Sequence, residues 1–135
     1  MMGRSSFYKK EVDEMARKTV AIINDKDKLG RIQTASLIDG FGYHTFTLPD
    51  AGKPGKIEDI LPYIHPDLVL IDFDAEHPAW LVGKIKDLVP KAKVLIFSDA
   101  ILRKIHEWSK AGADNVLLKC TRDGSLKEAI KMWIG

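Results

Sequence analysis

The segment DLVLI (67–71), followed directly by Asp72, contains four apolar residues in an unbroken row. Three further runs share its length and its content of β-branched residues: TVAII (19–23), KVLIF (93–97) and NVLLK (115–119). These runs are too short for helices and do not alternate apolar with polar residues, which is typical of parallel strands covered on both faces. A fifth run, YHTFTL (43–48), does alternate, and we predict that it lies at the edge of the sheet.

Helical patterns separate these runs. Apolar residues recur at helical spacing over residues 28–40, 56–64, 78–88, 101–111 and 124–134. In the first of these segments, Leu29, Ile32, Ala35 and Leu37 form the predicted apolar face. Strand and helix alternate five times, so we predict a (βα)5 domain with a doubly wound parallel five-stranded sheet and right-handed crossovers.

Composition limits the classes of protein that this chain fits. Its 135 residues fit a single domain, and its net charge is +2. Its one cysteine cannot form an internal disulfide, which favours a reducing cytoplasm. The small net charge predicts no direct nucleic-acid partner, and the apolar runs are too short to span a membrane. We expect residues 1–18 to form a leading tail or a short helix (about 7–17), and residues 19–135 to form the domain.

Polar residues stand at the ends of the four core runs. Asn24 and Asp25 follow the first run, Asp72 the second and Ser98 the third, while Lys119 ends the fourth. Open parallel sheets bind ligands beyond the carboxyl ends of their strands, so we expect these side chains to share one crevice. Two neighbouring carboxylates repel each other, and a hard divalent cation such as Mg²⁺ relieves that repulsion. A hydroxyl and an ammonium group beside them suit a phosphoryl group, which a carboxylate is able to accept.

The segments VAIIND, DLVLIDFD, KVLIFSDA and AGADNVLLK resemble the receiver domain of bacterial two-component response regulators, over about residues 19–134. This resemblance implies a CheY-like, flavodoxin-like fold with strand order 2-1-3-4-5. It implies that Asp72 is the phosphoacceptor and that Ser98 and Lys119 assist phosphoryl transfer. Such a domain is a signalling module with self-catalysed phosphoryl transfer and is not otherwise an enzyme.

The resemblance also implies a Mg²⁺ site. Asp25 matches the direct metal ligand of the family, and Asn24 takes the place of its acidic partner. Asp72 supplies a carboxylate oxygen, and Asp74, two residues further along, supplies a backbone carbonyl.

Four features depart from the receiver pattern. Asn24 replaces an acid, which lowers the negative charge available to a metal. The segment FDAEHPAW (73–80) lacks the Met-Pro and Asp-Gly of the family. Val116 stands in place of an aromatic residue, and Cys120 in place of a proline that often follows a cis peptide bond.

These observations leave more than one function open. In the first, a sensor histidine kinase or phosphotransfer protein phosphorylates Asp72 in the presence of Mg²⁺. The face built from residues 101–111, 115–119 and 124–134 then binds a downstream protein partner, with a homodimer left open. In the alternative, a degenerate receiver acts as a phosphorylation-independent interaction module. A third reading, a flavodoxin-like binder of a nucleotide or flavin, rests on fold analogy and lacks a Gly-rich loop after the first strand.

Overall fold

The computed structural model describes residues 17–24, 28–48, 56–72, 78–98, 102–118 and 123–135. The strands are β1 (Thr19–Ile23), β2 (His44–Leu48), β3 (Leu68–Ile71), β4 (Lys93–Ser98) and β5 (Asn115–Leu118). The helices are α1 (Lys28–Gly40), α2 (Lys56–Ile64), α3 (Pro78–Leu88), α4 (Leu102–Lys110) and α5 (Asp123–Ile134). Strands and helices alternate along the chain, and the predicted (βα)5 organisation is confirmed.

The five strands form one parallel sheet in the order β2-β1-β3-β4-β5. The strand order that the receiver resemblance implied is confirmed, and β2 lies at an edge, as its alternating pattern predicted. Ile23 of β1 pairs with Ile71 of β3, so these two neighbouring strands end at the same level. Ligands of such sheets bind where the strand order reverses, which here is the crevice between β1 and β3.

Helices cover both faces of the sheet because the side chains of each strand alternate between two apolar clusters. One cluster joins Ala21, Ile23, Val69 and Ile71 to residues of α2, α3 and α4, including Trp108. The other joins alternate residues of the same strands to α1 and α5: Val20, Ile22, Leu68, Leu70, Ile38, Leu126 and Ile130. None of the helices in the described ranges has the length and hydropathy that a membrane span requires.

Small differences from the predicted boundaries occur at several ends. β2 and β3 each begin one residue later than predicted, at His44 and Leu68, and β4 extends one residue further, to Ser98. Helix α4 ends at Lys110, one residue before the end of the predicted segment 101–111, because Ala111 lies in a turn. Ile101, the first residue of that segment, is outside the described residues. Helix α5 begins at Asp123, one residue before the predicted start. The prediction for residues 7–17 falls almost entirely outside the described part of the chain.

The apolar face predicted for α1 is only partly correct. Leu29, Ile32 and Leu37 are 61%, 53% and 38% exposed, whereas Ile38 is fully buried against the sheet. The helix is rotated so that the face carrying Ile38 also carries Arg31 and Thr34, at the end nearest the carboxyl ends of β1 and β3. The physical reason is that this end of the helix lines the crevice, where polar side chains have polar partners.

Carboxylates at the opposite end of the sheet have a structural role. Asp67 Oδ2 accepts a hydrogen bond from the backbone N–H of Thr19 at 2.8 Å, and Asp114 Oδ2 accepts one from Val94 at 2.8 Å. Asp114 also pairs with Lys86 Nζ at 2.6 Å. These two aspartates satisfy backbone donors at the starts of strands, at the end of the sheet opposite Asp72.

Candidate functional site

Asn24 and Asp72 are the first residues beyond two paired strand ends. Since Ile23 and Ile71 are register partners, the following residues lie side by side at the carboxyl edge of the sheet. The backbone N–H of Asp72 donates to the carbonyl of Ile23 at 2.9 Å, which continues the strand pairing into the site. By strand alternation both side chains lie on the same side of the sheet as Ile22 and Leu70, which is the side covered by α1 and α5.

The side chains of Asn24 and Asp72 are joined by a buried hydrogen bond. Asn24 Nδ2 donates to Asp72 Oδ2 at 2.9 Å, and the two residues are only 5% and 4% exposed. Burying a carboxylate carries a large desolvation cost unless hydrogen bonds compensate its charge. The amide end of Asn24 supplies one such bond, in the place where the resemblance expects an acid that would repel Asp72.

Thr34 is a third member of the site, and the sequence analysis missed it. Its hydroxyl donates to the same oxygen, Asp72 Oδ2, at 2.9 Å from the middle of α1. Thr34 lies four residues before the buried Ile38, so a polar residue on the inward face of the helix is the signal that could have identified it. The expectation that Leu37 and Ile32 formed the inward face placed Thr34 elsewhere.

Arg31 lies one turn before Thr34 on α1 and also reaches the crevice. Its Nη1 donates to the backbone carbonyl of Asn24 at 3.2 Å. This bond connects the beginning of α1 to the residue that follows β1 and places a permanent cation at the backbone of Asn24. The site therefore combines one buried carboxylate with an amide, a hydroxyl and a guanidinium.

Four other predicted site residues are described only in part or not at all. Asp25, Asp74 and Lys119 are outside the described residues, so their predicted roles stay predictions. Ser98 is the last residue of β4 and pairs with Leu118 of β5, but its side chain is outside the described part of the chain.

Of the departures from the receiver pattern, Val116 is described and Cys120 is not. Val116 is half-buried in β5 and packs against the cluster that contains Trp108. A branched aliphatic side chain in this position lacks the ring whose rotation the resemblance implies. The segment after Asp72 is described again only from Pro78, where α3 begins.

The chemistry of the donor set bears on whether a divalent cation would fit. Mg²⁺ takes oxygen ligands and usually retains several waters, and Asp72 and Asn24 both carry side-chain oxygens at this edge of the sheet. Within the described ranges, no group of three or more His, Cys, Asp or Glu residues could hold a metal ion. The further oxygens that the resemblance assigns to Asp25 and Asp74 lie outside the described residues, so the predicted Mg²⁺ site stays a prediction.

Comparison with solved structures identifies the fold. A response regulator from Thermotoga maritima superposes with a TM-score of 0.71 at 25% sequence identity, covering 87% of this chain and 98% of that one. The chemotaxis protein CheY4 from Vibrio cholerae superposes with a TM-score of 0.72 at 15% identity, covering 87% of this chain and 99% of that one. No protein-family model matches the sequence, and no curated protein matches it significantly.

A third structure carries ligands of interest. A response regulator protein from Burkholderia pseudomallei, described with a phosphorylated aspartic acid, a calcium ion and citrate, matches with a TM-score of 0.67 at 20% identity. The match covers 87% of this chain and 66% of that one. The chain therefore has the CheY-like fold of response regulator receiver domains. The predicted resemblance to these domains is confirmed over 87% of the chain.

Proposed function

We propose that this chain is a receiver domain that accepts a phosphoryl group on Asp72 from a sensor histidine kinase or a phosphotransfer protein. The observation that carries the proposal is the position of Asp72, a buried carboxylate directly after the central strand β3 in a CheY-like sheet. The end of the neighbouring strand β1 contributes the Asn24 amide to the same crevice, and two aspartates at the other end of the sheet accept hydrogen bonds from backbone donors.

The proposed transfer conserves atoms and electrons. A carboxylate oxygen of Asp72 attacks the phosphorus of a phosphohistidine, and the phosphorus–nitrogen bond breaks with its electron pair going to the donor imidazole. The product is an aspartyl phosphate, which water later cleaves to inorganic phosphate and the free carboxylate. Because the acceptor is the domain itself, we propose a phosphoacceptor signalling domain and not an enzyme with an external substrate.

Mg²⁺ belongs to this proposal through Asp25, Asp72 and the backbone carbonyl of Asp74, with Asn24 beside them. When bound, the ion supplies positive charge that neutralises the oxygens of the phosphoryl group. By the receiver resemblance, Ser98, the last residue of β4, and Lys119, which follows β5 in the sequence, would contribute a hydroxyl and an ammonium group to the same oxygens.

The proposed output is a change in partner binding. The face formed by α4, β5 and α5 would bind a downstream protein when Asp72 is phosphorylated, through a shift between two states of the domain. We place this event in the cytoplasm, without a direct nucleic-acid or membrane partner, and a homodimer through the same face is one form it could take.

Acyl-phosphate labelling tests the proposal. The protein is incubated with acetyl phosphate and Mg²⁺, and intact-mass and peptide mass spectrometry locate any phosphoryl adduct. We expect an adduct on Asp72 that is absent in Asp72→Asn and retained in Asp39→Asn, which alters an exposed aspartate of α1. An unmodified parent protein, or an undiminished adduct in Asp72→Asn, would refute the assignment.

The hydrogen bond between Asn24 and Asp72 favours one alternative, a degenerate receiver that binds its partner without phosphorylation. An amide donor at 2.9 Å compensates the buried carboxylate without any cation. Calorimetric titration with Mg²⁺ separates the two functions. Binding in the millimolar range or tighter supports the phosphoacceptor, whereas absence of binding supports the degenerate receiver.

A further inference from the structure

The Thr34 hydroxyl and the Asn24 amide converge on a single oxygen of the proposed phosphoacceptor. Both donate to Asp72 Oδ2 at 2.9 Å, one from helix α1 and the other from the end of β1. Two donors on one oxygen fix the rotation of the carboxylate, because turning it would break both hydrogen bonds. The two donors come from different parts of the fold, helix α1 and the residue that follows β1.

We propose that Thr34 is a positioning residue that sets the lifetime of the phosphoryl group on Asp72, an inference that rests on the proposed phosphoacceptor function. The hydroxyl holds Oδ2 in place and stabilises the free carboxylate more strongly than the phosphorylated one. Thr34 thereby favours return of the domain to its unphosphorylated state.

Asp72 Oδ2 accepts hydrogen bonds with different strength in the free and the phosphorylated states. In the free state this oxygen shares a full negative charge, and hydrogen bonds to charged acceptors are about twice as strong as neutral ones. In an aspartyl phosphate, an acyl phosphate whose bond to phosphorus is made by the other carboxylate oxygen, Oδ2 is a neutral carbonyl oxygen and accepts hydrogen bonds more weakly. Hydrolysis breaks the bond between phosphorus and the aspartyl oxygen, and its electron pair returns to the carboxylate. A donor on Oδ2 therefore lowers the barrier to that step.

The sequence position of Thr34 agrees with this role. Threonine in a helix often turns its hydroxyl toward a backbone carbonyl one turn earlier, but here the hydroxyl reaches across to Asp72. It occupies an inward position of α1 next to Ala35, which packs against the core. An aliphatic residue would fill such a position equally well if packing were its only purpose.

The test compares three variants by the decay of the labelled protein after acetyl phosphate is removed. Thr34→Val keeps the shape of the side chain and removes the hydroxyl, whereas Thr34→Ser keeps the hydroxyl. Thr45→Val is the matched control, since Thr45 Oγ1 donates to an exposed carboxylate, Asp39 Oδ1, at 3.3 Å. We expect the adduct to persist about three- to tenfold longer in Thr34→Val, the size of effect that the loss of one ordinary hydrogen bond produces. Thr34→Ser and Thr45→Val should decay at about the parental rate.

A purely structural role for Thr34 predicts the opposite result, because loosening the site gives water easier access and shortens the lifetime of the adduct. A parental or faster decay in Thr34→Val therefore overturns this inference while leaving the phosphoacceptor function intact. A parent protein that takes no label overturns the proposed function and this inference with it.

A measurement independent of phosphorylation checks the contact itself. Urea unfolding of Thr34→Val, Asp72→Ala and the double variant forms a double-mutant cycle. If the two side chains interact, the change in the unfolding equilibrium constant of the double variant should differ by about threefold or more from the product of the two single changes. Additive shifts would show that the hydroxyl does not act on Asp72 and would also overturn the inference.

Discussion

Asn24 and Asp72 are 48 positions apart in the sequence, yet Nδ2 of the first donates to Oδ2 of the second at 2.9 Å inside the domain. The contact exists because β1 and β3 are neighbours whose last paired residues are Ile23 and Ile71. An amide next to the carboxylate gives attraction in a place where a second acid would give repulsion. A second carboxylate at position 24 would therefore repel Asp72 unless a cation lay between them.

Asn24→Asp should make the stability of the domain depend on Mg²⁺. The new carboxylate would lie within hydrogen-bond distance of Asp72, and like charges in a buried site disfavour the ionised pair. We expect the free energy of unfolding to fall by about 1–3 kcal/mol at neutral pH in the presence of EDTA. Mg²⁺ at millimolar concentration should recover most of the loss, as measured by urea unfolding.

Gln33→Glu is the control for this experiment, since it introduces the same charge at an exposed position of α1. Its stability should change little, with or without Mg²⁺. An Asn24→Asp variant as stable as the parent in EDTA would contradict the proximity of the two side chains in solution.

The ionised carboxylate of Asp114 should stabilise the fold, and this stabilisation should be lost in acid. Burial acts to raise its pKa, but hydrogen bonds from Lys86 and Val94, together with the charges of Lys86 and Lys93, outweigh burial and hold the pKa below its ordinary value of 3.8. A pKa that is lower in the folded state means that folding favours the ionised form. The contribution is therefore complete above about pH 4 and is lost as the pH falls through the folded pKa.

In Asp114→Asn, the free energy of unfolding should accordingly change less with pH in the acid range than it does in the parent protein. Urea unfolding between about pH 2 and 7 measures this, and the difference between parent and variant should narrow below pH 4. Asp39→Asn, at an exposed aspartate, serves as the comparison. If the free energies of unfolding of the parent and of Asp114→Asn differed by the same amount at every pH, the result would contradict a lowered pKa of Asp114.

Trp108 should be among the most important residues for stability. It is fully buried in the cluster that joins α2, α3 and α4 to the sheet, and its indole N–H has no hydrogen-bond partner among the described residues. We expect Trp108→Ala to cost about 3–5 kcal/mol in the free energy of unfolding. Trp108→Phe should cost less, because it leaves a smaller cavity and removes a buried donor without an acceptor. An equal loss in the two variants would contradict this account.

Substitution by alanine at two glycines should change the stability of the domain in opposite directions. Gly112 follows α4 with a φ of +103°, a conformation that alanine adopts only with strain, so Gly112→Ala should destabilise by about 1 kcal/mol or more. Gly83 lies within α3 with no atom within 4 Å of an added Cβ, so Gly83→Ala should stabilise by up to about 1 kcal/mol. Thermal unfolding of both variants measures this contrast, and shifts of the same sign would refute it.

Much of the fold followed from local patterns in the sequence. Unbroken apolar runs such as VLI in β3 predicted strands covered on both faces, and the alternation in β2 predicted an edge. The strand ends could also be predicted to carry the site, because a polar residue directly after an apolar run marks where a strand leaves the core. Boundary shifts of one residue at His44, Leu68 and Ser98 reflect pairing with neighbouring strands, which a single segment does not encode.

The orientation of α1 could not be predicted in the same way. Its sequence has enough apolar residues for more than one stripe, and the choice between them depends on what the helix contacts. Tertiary packing leaves Leu29 and Ile32 exposed and turns Thr34 toward the carboxylate of Asp72, which directly follows β3 and lies 38 positions further along the chain. A hydrophobic pattern cannot reveal this, because a polar residue becomes favourable in an inward position only when its partner is present.

The sequence by itself determined the alternation of strands and helices and which residues stand at the strand ends, because apolar periodicity and strand termination are local properties of the chain. Only the tertiary structure decided that the amide of Asn24 and the hydroxyl of Thr34 meet on one oxygen of Asp72. That meeting depends on strand register and on the rotation of a helix about its axis. Both are set by the packing of residues that lie far apart in the chain.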